Sequence, residues 1–243
     1  MRTIVVFSGA GLSTESGVPT FRDSNGLWEN HRVEDVAHPS GWVKDKALVL
    51  EFYRQRFEGV KKCEPNAAHK AIASLQDKFN VINITQNIDD LLERAGCNIV
   101  KHMHGSINKR KCEWHKNASM LDGGRYNCDF AEVHTEAVKL GDLCPKCGGQ
   151  IRPDVVWFDE PVPFNFEDVK ELVKEVKYNK GVFICVGTSA QVYPAATLLP
   201  LFVQVPEKYI IDPNPRRIGD YTLLTGKAGE QMPALARKLL ESA

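Results

Sequence analysis

Seven cysteines are spread over the 243 residues, and four of them fall in one polar stretch with a histidine among them. Cys144 and Cys147 form a C-x-x-C in "CPKCGG", where the glycines let a turn close around a metal. Cys112 and His115 in "KCEWHK" repeat that spacing, and Cys128 is a further thiolate. A tetrahedral zinc site needs four thiolate or imidazole ligands. The favoured set is Cys112, His115, Cys144 and Cys147, two knuckles closing on one Zn2+, with Cys128 as the substitute for His115. A site closed by four protein ligands has no open position, so the metal is structural and any reaction lies elsewhere.

The other chemically capable residues sit where apolar runs stop. "TIVVF" ends at Gly9-Ala10-Gly11, whose backbone can approach a pyrophosphate, and a helix starting near Ser13 would aim N–H groups at it. Thr14 stands where a dinucleotide fingerprint has its third glycine. No strand with an acidic end follows at the usual spacing, so ordinary hydride transfer is not expected. "NVINIT" ends in Gln86, Asn87 and Asp89, which suit ligand selection or the cap of a helix beginning near Asp89. "HMHGS" brings His102 and His104 to another strand end, where only one need face the cleft. "VGTS" adds Gly187, Thr188 and Ser189, small groups suited to phosphate or ribose.

Bringing those ends together takes a parallel sheet. Strand-like runs at 3–7, 80–85, 98–103, 181–187 and 208–212 alternate with helix-like stretches at 45–62, 66–79, 165–178 and 228–242. Near-continuous apolar strands separated by helices predict an α/β domain whose sheet is covered on both faces. Ligands bind such sheets at the carboxyl ends of the strands. Residues 106–152 break the rhythm, being polar and rich in Lys, Gly and Cys. They are expected to form a small zinc-binding module inserted in a Rossmann-like domain made of 1–105 and 153–243. The 31 basic residues balance the 31 acidic ones, so no whole-molecule field steers nucleic acid or an anionic membrane toward the chain. The N-terminal apolar run is too short for a secretion signal, and no run approaches the ~18 residues of a membrane span. The cytoplasm is the expected location.

In this order, "GAGLSTESGVPTFR", "TQNID", "HMHGS", the cysteine stretch, "RPDVVWFDE" and "VGTSAQVYPAA" resemble the successive signatures of the sirtuins, NAD-dependent protein lysine deacylases. The resemblance implies that Gly9, Ala10, Gly11 and Ser13 cradle the pyrophosphate of NAD+, with Phe21 and Arg22 over the nicotinamide ribose. Gln86, Asn87 and Asp89 would hold nicotinamide and ribose, with Asn87 and Asp89 counted as catalytic beside His104, the general base. His102 is then structural. Gly187 and Ser189 face the adenosine side, Ala228 lies beside adenine, and Trp28, Ile88, Thr188, Asp212 and Asn214 complete the cofactor set. An asparagine commonly stands at the position of Asp212.

The implied chemistry is attack of an acyl-lysine carbonyl at the anomeric carbon, which expels nicotinamide. A base then activates a ribose hydroxyl, and the products are free lysine and O-acyl-ADP-ribose; imidazole suits that task at neutral pH. Peptide would add as a strand along residues 155–160, against Val156, Trp157 and Phe158. Asp159 stands there where the family usually has glycine. Tyr53 and Arg56, at i and i+3 in "EFYRQRF", match the pair that marks the bacterial-type branch acting on acidic acyl groups. Phenol and guanidinium can together bind a carboxylate. Desuccinylation and demalonylation with some deacetylation are expected, the alternatives being mainly deacetylation or mono-ADP-ribosyl transfer. Arg54 is expected to be solvated.

Overall fold

The computed structural model describes residues 1–19, 31–116, 127–188 and 195–242, with the backbone alone of 27–28. In chain order its strands are β1 (Thr3–Ser8), β2 (Asn80–Thr85), β3 (Val100–His102), β4 (Gly105–Cys112), β5 (Ala131–Val133), β6 (Ile151–Val155), β7 (Val182–Val186), β8 (Glu207–Asp212) and β9 (Thr222–Thr225), beside a short hairpin of Leu27–Trp28 with His31–Arg32. The main helices are α1 (Lys46–Lys62), α2 (Ala67–Ser74), α3 (Leu91–Arg94), α4 (Phe166–Tyr178) and α5 (Ala228–Glu241).

Among the described residues, six strands form one sheet in the order β9-β8-β7-β1-β2-β3, and every pairing in it is parallel. β1 shows why an unbroken apolar run belongs in its middle. Ile4 and Val6 face a core shared with α2 and α5, whereas Val5 and Phe7 face a second core shared with α4. Both faces are covered, so no residue of β1 is solvated. Helix starts follow from local capping: the side chains of Asp45, Asn66 and Asn165 accept the first N–H groups of α1, α2 and α4.

β5, β4 and β6 form a separate antiparallel sheet. It packs on α1, and the core between them holds Trp42, Val49, Phe52, Tyr53, Phe57, Ile107, Ile151, Val155 and Trp157. β4 pairs with β6 from Gly105↔Val155 at one end to Cys112↔Ile151 at the other. One end of this ribbon reaches the carboxyl edge of the parallel sheet, and the other carries cysteine. No helix among the described residues is long and apolar enough to cross a membrane.

Candidate functional site

The four thiols of Cys112, Cys128, Cys144 and Cys147 lie within 4.8 Å of one another. Cys112 and Cys147 are 3.4 Å apart, and Cys128 and Cys144 3.6 Å apart. Four soft ligands at this spacing fit one tetrahedral zinc ion, whose ~2.3 Å bonds need sulfur–sulfur edges of about 3.8 Å. The favoured ligand set is thereby corrected: Cys128, not His115, completes the group. His115 is buried next to it on a backbone bridge to Cys128. The matched x-x spacing of Cys112 and His115 misled because Cys112–His115 is one tight turn, whose backbone brings Cys128 in from 16 residues away. Burial disfavours the Cys144 thiolate, yet the N–H groups of Lys146 and Cys147 overcome it and hold the thiol below its ordinary range.

The glycine loop leaves β1 as two 3-10 turns, Ala10–Leu12 and Thr14–Ser16, rather than the helix expected near Ser13. Its place is set by backbone contact: Gly9 N–H donates to Val186 O at 3.1 Å and Gly11 N–H to Gly187 O at 2.8 Å. Gly187 has φ +63°, and a Cβ there would lie 2.3 Å from Leu12 N. Only glycine permits that approach.

Ser13 is fully buried and acts as a hub. Its hydroxyl donates to Asp89 Oδ2 at 3.0 Å and accepts from Asn87 Nδ2 at 3.1 Å, with His69 Nε2 3.5 Å away. Asp89 Oδ1 accepts the Leu91 N–H at 3.1 Å, which opens α3. The expected cap is therefore present, and the same carboxyl also takes the Ser13 hydroxyl. Burial raises the Asp89 carboxyl, partly offset by these bonds. Gln86 Nε2 donates to Thr188 Oγ1 at 2.9 Å, tying the ends of β2 and β7 together.

β3 ends at His102, so His102 and His104 do not share a strand face. His102 Nδ1 meets Asn87 O at 2.8 Å and Nε2 meets Glu93 Oε1 at 2.7 Å. Both partners only accept, so both nitrogens donate. Burial opposes that charge, but Glu93 prevails and raises the imidazole. His104 differs. Its Nδ1 meets the Gln86 carbonyl at 3.0 Å, which requires the proton on Nδ1 and leaves Nε2 as the basic lone pair. Burial, slightly opposed by that carbonyl, lowers His104 below its ordinary value. Gly105 follows at φ +76°, where a Cβ would lie 2.0 Å from Asp154 O. The His104 carbonyl accepts the Val156 N–H at 2.9 Å, binding the 155–160 segment to the histidine.

In that segment Trp157 is buried and Phe158 is 43% exposed, its N–H donating to Ala37 O. Tyr53 and Arg56 both point inward, 1% and 9% exposed. The Tyr53 oxygen accepts from Trp157 Nε1 at 3.1 Å. Arg56 lies 3.2 Å over the Phe52 ring and donates to Phe52 O at 2.9 Å. Arg54 is on the surface and pairs with Glu51 at 2.7 Å. Of the residues expected on the adenosine side, Asp212 Oδ1 accepts the Asn214 N–H at 2.8 Å and Ala228 begins α5. Phe21, Arg22, Ser189 and the side chain of Trp28 lie outside the described residues, and the backbone of Ile88 accepts Ile107 N–H at 2.8 Å.

Sequence reasoning missed His69, Glu93, Glu15 and the Arg152–Glu160 pair. Glu15 Oε2 accepts the Gly229 N–H at the start of α5 at 2.7 Å. Arg152 and Glu160 form an ion pair with both side chains 1% exposed. The charge pattern within "RPDVVWFDE" was the available signal for the last two.

The Sir2 family profile matches residues 9–194. Proteins named NAD-dependent protein deacylase from Helicobacter pylori and Thermococcus kodakarensis are 42% and 40% identical. These matches cover 100% and 98% of this chain and 97% and 91% of theirs. A solved Sir2 homolog–NAD complex has TM-score 0.81 at 38% identity, covering 99% of this chain and 90% of that one. The structure of Sir2Af2 bound to a myristoylated histone peptide has TM-score 0.66 at 31% identity, covering 99% and 93%. With a profile over most of its length and relatives of this identity, the chain belongs to the Sir2 family.

Proposed function

We propose that this Sir2 enzyme removes acidic acyl groups, succinyl and malonyl ahead of acetyl, from protein lysine side chains with NAD+ as co-substrate. Relatives that share nearly the whole chain are named NAD-dependent protein deacylases, and one solved relative holds an acylated peptide. Both support acyl-lysine as the substrate class. NAD+ supplies a nicotinamide leaving group and an electrophilic ribose carbon. Gly9, Ala10, Gly11 and Ser13 would receive its pyrophosphate, and Gln86, Asn87 and Asp89 its nicotinamide ribose. His104 Nε2 would take the proton of a ribose hydroxyl, since its Nδ1 is committed to Gln86 O. The four-cysteine zinc centre takes no part in the reaction and holds the β4–β6 ribbon.

The observation that carries the acyl preference is the inward setting of Tyr53 and Arg56, with Tyr53 hydrogen-bonded to the segment tied to His104. An arginine serving only helix solubility sits outside, as Arg54 does. A buried guanidinium next to a phenol favours a carboxylate, which forms short charge-assisted bonds with both. The test is turnover of one peptide carrying acetyl-, succinyl- or malonyl-lysine, wild type beside Arg56→Met. Loss of a charge-assisted bond should lower succinyl and malonyl kcat/KM by about 10–100-fold and spare acetyl. Equal losses on all three refute the preference.

A further inference from the structure

Trp157 stands where three features of the cleft meet. Its neighbour Val156 is hydrogen-bonded to the His104 carbonyl. Its own indole N–H donates to the Tyr53 oxygen at 3.1 Å, across 104 residues of sequence. The ring is 3% exposed and held on several sides. The Arg152 guanidinium lies 3.7 Å from the ring centroid, and the Trp42 ring packs against it at 5.5 Å. The Trp157 backbone N–H is taken by Glu160 Oε2 at 3.0 Å, and Glu160 is itself the buried partner of Arg152. Removing either charge would strand the other, so the pair fixes the turn that carries the indole. A ring confined in this way has one rotamer, and its N–H has one direction.

We propose that Trp157 is a positioning residue for acyl selectivity, acting through Tyr53: by donating to the phenol oxygen it fixes where that phenol can offer its own hydrogen. This inference rests on the acidic-acyl reading above. A hydroxyl that accepts an N–H on one lone pair must aim its hydrogen off that line, and accepting also polarises it as a donor. An acyl group ending in carboxylate uses such a donor, whereas a methyl end does not. The signature is therefore a change in selectivity, where a merely structural tryptophan would alter both substrates alike.

The test is kcat/KM for one peptide carrying acetyl- or succinyl-lysine, in wild type, Trp157→Phe, Tyr53→Phe and the double variant. Trp157→Phe should lower the succinyl-to-acetyl ratio about fivefold, the worth of one neutral hydrogen bond. In the Tyr53→Phe background it should lower the ratio no further, because the interaction is already gone. An unchanged ratio in Trp157→Phe, with succinyl turned over by wild type, overturns the inference and leaves the function reading intact. Additive losses overturn it as well, since Trp157 then acts independently of Tyr53. A wild type without succinyl turnover refutes the acidic-acyl reading, and this inference falls with it. Where Trp157→Phe does not fold, the indole N–H resonance of isotope-labelled wild type gives a second readout. Both peptides pass along the 155–160 segment and shift that resonance, so the succinyl peptide should move it further than the acetyl peptide does, and an equal response to both overturns the inference.

Discussion

Substituting Cys128 by serine and His115 by alanine, one at a time, decides which residue completes the zinc centre. The four thiols already stand within 4.8 Å. The 3.4 and 3.6 Å sulfur–sulfur distances are a little shorter than tetrahedral edges, so a metal need spread those two pairs by only a few tenths of an ångström. Structural zinc contributes about 10–16 kcal/mol at neutral pH, so an equal share for each of four ligands is about 2.5–4 kcal/mol. A serine hydroxyl in place of a thiolate forfeits most of that share, which weakens metal binding by about two to three orders of magnitude. The assay is zinc content per chain after dialysis against graded chelator, with a melting curve of each sample. Cys128→Ser should lose zinc at chelator strengths that leave wild type loaded, and melt lower. His115→Ala should keep one zinc per chain. A His115→Ala protein that loses its zinc while Cys128→Ser retains it would refute the four-cysteine assignment.

Three further outcomes follow from the cleft. His104→Ala should abolish deacylation while leaving zinc content and fold unchanged; because burial lowers His104, the acid limb of wild-type kcat/KM should lie below pH 6.5, and a limb above it would contradict the neutral-base assignment. His69, pushed by burial to about 4, stays neutral in the folded chain while the unfolded chain takes up a proton below about 6.5. Its share of stability is intact above that value and falls between pH 6.5 and 4 by as much as about 3 kcal/mol, so His69→Gln should flatten the acid side of melting temperature against pH. Gly187→Ala adds a side chain 2.3 Å from Leu12 N at a positive φ; about 1–3 kcal/mol of strain and a displaced loop should raise KM for NAD+ at least tenfold, and an unchanged KM would show that the loop does not depend on this approach.

The parallel sheet was legible because its strands are buried on both faces and read as unbroken apolar runs. "NVINIT" coincides with β2 to the residue. β9 was missed because it is an edge strand whose residues are exposed or half-buried, leaving no apolar run to see. β4, "GSINKRKC", was hidden for another reason: its charges are paired across the sheet, Arg110 with Glu132 and Lys111 with Asp154. Paired charges look like a solvated loop until their partners are known. Residues at strand ends were singled out from the rule that ligands bind there, and the structure gathers Ser13, Asn87 and Asp89 into one hydrogen-bonded group. His69 and Glu93 sit inside ordinary helical sequence and gain meaning only from the side chains they meet, Ser13 and His102. The fourth zinc ligand failed likewise, since local spacing cannot report on a partner brought in by a backbone bridge.

The ribbon of β4 and β6 has an evolutionary corollary. Gly105 and Val155, where the excursion to the metal leaves and returns, are paired directly. The parent sheet therefore sees the same narrow opening whatever lies beyond it. Excursions with adjoining ends can be lengthened, shortened or exchanged at little cost to the fold that hosts them. What a replacement must preserve runs along α1 and its flank: an apolar face like that of Ile107, Ile151 and Val155, a carboxylate like Glu113 that accepts from Trp42 and Lys46, a ring like His134 stacked on Phe57, and a turn that returns the chain beside His104. The cysteine-bearing end is thus tied to its host along one helix and at one junction, and a change of length between those ties need not move His104.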